Sequence, residues 1–139
     1  MDKVLEQDII EFIEKEYWKS NLQSDSDIFK TLGIIGDDSD ELMMKYHEKY
    51  NVNMDTFLWY FHYEDEASIN SIGSLIYKTP DKLVKRIPLT PKMLTEFANT
   101  KIWNIEYPEH KLPKYRYDLI TTNVILVFFI SILIYKCTK

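Results

Sequence analysis

The chain has 139 residues, of which 45% are hydrophobic and 14% aromatic, enough for one globular domain with a buried core. The charge is unevenly distributed, because the first 66 residues carry 17 acidic and 6 basic side chains while the remainder carries a net positive charge. The acidic half would repel a phosphate backbone, so the composition argues against nucleic-acid binding and favours a basic protein partner.

The first half of the chain predicts two amphipathic helices joined by a loop. Apolar residues at helical spacing from Val4 onwards indicate the first helix, and the polar residues 20–27 indicate the loop. Asp38 and Glu41 have the spacing of a capping box, so we expect the second helix to begin at Asp38 and to end near Tyr50. The side chains expected to face the core from this helix are Leu42, Met43, Tyr46 and Tyr50.

The middle of the chain is aromatic at first and then ambiguous. Residues 54–61 predict a brief helix packed on the core, whereas residues 64–88 could form a hairpin arm or stay mobile. Thr90 followed by Pro91 predicts the start of another helix, with the threonine as N-cap and the proline at the first helical position.

The C-terminal run of apolar residues predicts a transmembrane helix that begins at Leu119 and ends at Tyr135. As a helix this run would span about 25 Å, and tyrosines and basic residues flank both of its ends. The N-terminal residues lack the apolar segment of a signal peptide, and more basic residues precede the span than follow it. We therefore expect a single-pass membrane protein with a cytoplasmic domain over residues 1–104, a linker over 105–118 and a membrane anchor over 119–135.

Three blocks of sequence resemble acyl carrier proteins in their content and order. The blocks are DIFKTLGIIGDDSDELMMKYHEKYNV, the aromatic run FLWYF, and PLTPKMLTEFANTKIW. From about residue 5 to residue 104, the chain resembles a family of uncharacterised bacterial acyl-carrier-like proteins. The resemblance implies a mainly α fold, an acyl-carrier-like small helical bundle, to which this chain adds a single C-terminal transmembrane helix.

The resemblance does not extend to the prosthetic group. Carriers attach phosphopantetheine to a serine at the head of their second helix, and aligning Glu41 and Leu42 with the carrier pattern places Gly36 at that position. Ser39 follows one helical turn later, between two aspartates, and we expect it to be a solvated residue of the helix start. We therefore expect no cofactor, with phosphopantetheine attachment at Ser39 as the alternative.

No other motif indicates catalysis or metal binding. His47, His62 and His110 lack the spacing of zinc ligands, so each is expected to be a surface or half-buried histidine. The acidic residues lack the EF-hand pattern, and Cys137 is the single cysteine, which excludes an internal disulfide. We expect a protein that is not an enzyme and that holds no metal.

The chain does retain the acidic head of a carrier's second helix. Carrier proteins meet their enzymes through this helix, so the resemblance implies that the acidic residues of its first turns bind a basic protein surface. These residues are Asp37, Asp38, Asp40 and Glu41. We expect a membrane-anchored, non-catalytic protein-interaction module that contacts the lipid bilayer through residues 119–135. Two alternatives remain, an active acyl carrier protein modified at Ser39 and a membrane-anchored immunity protein that neutralises a basic toxin.

Overall fold

The computed structural model describes residues 3–18 and 21–138, and this part of the chain is mainly helical. Ser20, in the predicted loop, and Lys139, among the basic residues that flank the predicted span, lie outside the described residues. The helices are α1 (Glu6–Tyr17), α2 (Ile28–Leu32), α3 (Gly36–Tyr50), α4 (Ala67–Asn70), α5 (Pro80–Leu83), α6 (Pro91–Thr100) and α7 (Tyr117–Cys137). Two 3₁₀ turns, Trp59–Phe61 and Ile72–Leu75, lie between α3 and α5.

The core of the domain lies between α1, α2, α3 and α6. Each helix contributes the apolar residues that share one face at three- and four-residue spacing, such as Ile9 and Ile13 of α1. Tyr46 of α3 is fully buried, and its hydroxyl donates a hydrogen bond of 2.6 Å to the carbonyl of Leu94 in α6. This bond allows a phenol to lie inside the core without an unsatisfied polar atom. All four side chains that the sequence assigned to the core from α3 are buried.

The start of α3 differs from the sequence prediction. The helix begins at Gly36, after an extended Ile35, and Asp38 is already its third residue and makes no capping hydrogen bond. Gly36 has φ +50°, and its N–H donates a 2.8 Å hydrogen bond to the carbonyl of Glu64. The predicted capping box at Asp38 is therefore wrong, because a contact with a segment distant in sequence sets the helix start. The start of α6 is as predicted, since the Thr90 hydroxyl accepts from the N–H of Met93 at 3.3 Å.

Residues 67–83 form short helical segments and not the hairpin arm considered from the sequence, and the Ile72–Leu75 turn among them packs against the base of α7. We call this segment, which comprises α4, the Ile72–Leu75 turn and α5, the collar. The N–H of Gly73 in the turn donates a 2.9 Å hydrogen bond to the Thr122 hydroxyl of α7. Tyr107 belongs to the predicted linker. Its hydroxyl lies 2.8 Å from Nε2 of His62, so Tyr107 packs against the domain.

Helix α7 is long and apolar enough to cross a membrane. Its 21 residues would extend about 31 Å, close to the ~30 Å thickness of a bilayer's hydrocarbon core. Only 6% of its most apolar stretch is buried, which separates it from the core helix of a soluble domain. The predicted C-terminal span is thus confirmed as a helix of suitable length and composition.

Candidate functional site

The acidic head of α3 is built on a tight turn after α2. Gly33 ends α2 with φ +69°, and its N–H donates a 2.8 Å hydrogen bond to the carbonyl of Phe29. At Gly36, a Cβ atom would lie 2.3 Å from Cγ of Glu66, and the positive φ would strain any L side chain. Gly36 therefore lets the first turn of α3 lie directly against residues 64–66. This is also the position that the carrier resemblance aligns with the serine that bears the prosthetic group.

The four predicted carboxylates of the head are all exposed, but two of them are engaged. Asp40 accepts a hydrogen bond from the Tyr63 hydroxyl, and Glu41 pairs with Lys45 at 2.9 Å. Among the described residues, we find no side-chain partner for Asp37 or Asp38. These two carboxylates therefore face solvent at a helix N-terminus, where negative charge is favoured.

Neighbouring groups reflect the negative potential of this face. The Tyr17 hydroxyl donates a 2.6 Å hydrogen bond to the backbone carbonyl of Asp38. Burial raises the pKa of Tyr17, and the carboxylates of Glu41 and Asp38 raise it further. The hydrogen bond that Lys45 donates to Glu16 likewise raises the pKa of Lys45, which bridges α1 and α3. Tyr17 and Glu16, at the end of α1, thus contact the first turns of α3.

Ser39 lies on the opposite side of α3 from the solvent. Its side chain is fully buried, and its hydroxyl has no hydrogen-bond partner within residues 3–18 and 21–138. Because Leu42, Met43 and Tyr46 follow at positions three, four and seven residues later, Ser39 belongs to the core-facing stripe of the helix. The expectation that Ser39 is a solvated residue is wrong. The two flanking aspartates suggested an exposed position, although the spacing of Ser39 to the core residues of α3 already places it on the buried stripe.

A cleft of about 310 Å³ extends the acidic head towards the start of α7. The acidic residues that line it are Asp37, Asp40, Asp65 and Glu66, and Trp59 and Tyr63 form its aromatic wall. Arg116, which directly precedes α7, enters the cleft and pairs with Asp65 at 2.8 Å and with Asp118 at 2.7 Å. We call this feature the acidic cleft. It already holds one guanidinium group of the chain itself.

Sequence reasoning missed the contribution of Asp65 and Glu66 to this site. They belong to the acidic run of residues 64–66, which directly follows the aromatic segment. This run was the feature of the sequence that could have indicated their part in the site. The hydrogen bond between the N–H of Gly36 and the carbonyl of Glu64 and the contact of Glu66 with Gly36 place this run beside the α3 head.

The three histidines do not come together as a site. Nδ1 of His47 lies 2.7 Å from the Val52 carbonyl, and Nε2 of His110 lies 2.8 Å from the Tyr60 hydroxyl. His62 is fully buried, contrary to the prediction of a surface or half-buried residue. Its burial is possible because Ile87 and Tyr107 satisfy both ring nitrogens. Within residues 3–18 and 21–138, no group of His, Cys, Asp and Glu side chains is arranged to hold a metal ion.

A family model described as "Protein of unknown function (DUF1493)" matches residues 1–106. The chain belongs to this family. The matched region includes the α3 head and the acidic residues 64–66, whereas α7 and Arg116 lie beyond it. No curated protein matches the chain, and no solved structure does. The comparisons identify the family, and they give no acyl-carrier relationship.

Proposed function

We propose that this protein is a membrane-anchored, non-catalytic interaction module of acyl-carrier-like fold that docks a basic protein surface on its acidic α3 head. The observation that carries the proposal is that one turn of helix combines exposed carboxylates with closed positions for a prosthetic group. Asp37 and Asp38 are exposed and face solvent. Gly36 and Ser39, the two positions at which a prosthetic arm could be sought, are closed by Glu66 and by the core. The α3 head therefore has the negative charge needed to dock a basic surface, and it lacks an accessible hydroxyl to which phosphopantetheine could be attached.

The acidic cleft gives the proposed docking face a shape as well as a charge. A lysine or arginine side chain that entered beside Asp37 and Asp40 would meet carboxylates and the ring of Trp59, a combination that favours a guanidinium group. Exposed charge of one sign also speeds the encounter with an oppositely charged surface. We therefore expect the partner to present an arginine-rich or lysine-rich patch.

We further propose that α7 spans the membrane with the domain on the cytoplasmic side. The support for this orientation is the charge beside the span, where Lys111, Lys114 and Arg116 precede the helix. Attachment to the bilayer would raise the effective concentration of the acidic head near a membrane-associated partner.

Site-specific photo-crosslinking in native membranes tests the docking proposal. A benzophenone amino acid at Asp37 should capture a protein with a basic surface, and raised salt before irradiation should reduce the yield. The matched control places the same group at Glu48, which is exposed near the other end of α3. Equal capture from both positions, or capture that salt does not affect, would count against docking at the head.

Intact mass separates this proposal from an active carrier. Incubation of the full chain with a phosphopantetheinyl transferase and coenzyme A should leave its mass unchanged, because Ser39 is buried. A gain in mass that Ser39→Ala abolishes would instead establish carrier function. If the partner that crosslinks at Asp37 proves to be a basic toxin, and cells lacking this protein become sensitive to it, the module acts as an immunity protein.

A further inference from the structure

The collar exposes more apolar side chains than a water-facing segment normally does. Within 15 residues, Leu75 is 85% exposed and Ile76 is 64% exposed. Other exposed apolar or aromatic residues of the same segment are Ile69, Ile72, Tyr77 and Leu83. Contiguous exposed apolar surface marks a protein or membrane contact site.

The collar is fixed to the base of α7 at a defined height. Gly73 lies so close to α7 that a Cβ atom would be 1.8 Å from the backbone oxygen of Asp118. The Gly73 N–H also donates to the hydroxyl of Thr122, which follows Leu119 by three residues, or about 4.5 Å along a helix axis. If α7 spans a bilayer from Leu119, the Ile72–Leu75 turn therefore lies where the headgroups meet the acyl chains.

An apolar cleft of about 310 Å³ separates the collar from the residues that lead into α7. The collar contributes Ile76, Pro80 and Leu83, and the opposite wall includes Leu112 and Tyr117. The rings of Tyr77 and Tyr117 lie 5.7 Å apart at this cleft, and tyrosines concentrate at membrane interfaces. The exposed Lys78 beside them would face anionic headgroups.

We propose that the collar is a second membrane-contacting element, which inserts Leu75 and Ile76 into the bilayer interface beside α7. The occupant of its apolar surface is membrane lipid, because the surface is continuous with a helix suited to the hydrocarbon core. The inference rests on the membrane anchoring in the proposed function and extends it. Two adjacent insertions hold the domain on the bilayer in one orientation. Arg116 lines both the apolar cleft at the collar and the acidic cleft, so the acidic cleft lies close to the membrane surface.

Fluorescence quenching in vesicles tests this proposal on the full chain. In a Cys137→Ser background, Leu75→Cys carries an environment-sensitive NBD label in vesicles of phosphatidylcholine and phosphatidylglycerol. We expect blue-shifted emission, quenching by lipids with a nitroxide near the headgroup, and protection from aqueous iodide. Label at Val127→Cys, in the middle of α7, should respond to deep nitroxides, and label at Met44→Cys on α3 should respond only to iodide. Both control positions are exposed on their helices.

A second change shows whether insertion depends on the collar's apolar surface. Ile76→Asp should abolish lipid quenching of the label at position 75, whereas Met44→Asp, a matched change at an exposed apolar residue, should leave it intact. Lipid quenching at position 127 with iodide quenching at position 75 would overturn the collar proposal and leave the anchor standing. Blue-shifted emission at position 75 without lipid quenching would also overturn it, because protein would then cover the surface. Absence of lipid quenching at both positions would overturn the anchor and the collar together.

Discussion

His62 makes the stability of the domain depend on pH in a defined direction. The ring is fully buried, with Nδ1 at 2.9 Å from the Ile87 carbonyl and Nε2 at 2.8 Å from the Tyr107 hydroxyl. The carbonyl can only accept, so Nδ1 carries the proton and Nε2 accepts from Tyr107. The Tyr107 oxygen in turn accepts a 2.9 Å hydrogen bond from the indole N–H of Trp103. Protonation of Nε2 would remove the hydrogen bond that Nε2 accepts from Tyr107.

Burial lowers the pKa of His62 from 6.5 to about 4. The unfolded chain therefore binds a proton between pH 6.5 and pH 4 that the folded chain does not bind. The free energy of unfolding must fall as the pH is lowered through this window, and the contribution is constant above it. From pH 7 to pH 4.5 the loss due to His62 is about 2.5 kcal/mol, since each pH unit within the window removes up to about 1.4 kcal/mol.

Urea unfolding of the full chain in detergent micelles, followed by tryptophan fluorescence, measures this loss. Trp103 lies in the same network and reports on it. The matched control is His62→Gln, which removes the titrating ring and leaves the chain's other acids and histidines unchanged. Wild type should lose about 2.5 kcal/mol more than the control between pH 7 and pH 4.5. Equal losses in the two proteins would refute the claim that His62 is buried and neutral.

Further variants test other parts of the structure. Gly36→Ser should destabilise the domain by about 1–2 kcal/mol, because of its positive φ and the contact with Glu66, and intact mass should show no phosphopantetheine on the new hydroxyl. Asp40→Asn should cost about 1 kcal/mol in chemical unfolding by weakening the hydrogen bond from Tyr63, while Asp40→Ala with Tyr63→Phe should cost less than the sum of its single changes. Truncation before Leu119 should make the protein extractable from membranes by carbonate, whereas the full chain should require detergent; carbonate extraction of the full chain would contradict a spanning α7.

Periodic apolar residues predicted α1, α3 and α6 but not the short helices α2, α4 and α5, because burial of one face decides whether a longer segment folds. Ile9 and Ile13 lie in the core as their spacing required, and the Thr90–Pro91 pair marks the start of α6. The apolar composition after Leu119 was sufficient to predict a helix that could span a membrane. These features depend on local sequence, so local sequence could predict them.

The errors concern residues whose environment is set by distant parts of the chain. The start of α3 depends on a hydrogen bond from the N–H of Gly36 to the carbonyl of Glu64, 28 positions away. His62 could be buried only because Tyr107, 45 positions later, returns to it. The acidic cleft likewise joins α3 to residues 65–66 and to Arg116, which no local motif connects.

The proposed docking places a basic partner on the free carboxylates of the α3 head. The reversal Asp37→Lys with Asp38→Lys changes only these two, and spares the Asp40–Tyr63 bond and the Glu41–Lys45 pair. Its matched control, Glu48→Lys with Asp55→Lys, makes the same change in net charge at exposed positions away from the head. Circular dichroism should show both variants to be helical.

The most direct measurement is the affinity of the partner captured at Asp37 for these three proteins, by titration at low and at high salt. We predict that the head reversal raises Kd by at least about tenfold at low salt, and that wild type and the control bind alike and both weaken as salt rises. Unchanged affinity in a folded head reversal, or an equal loss in the control, would contradict docking on the acidic head.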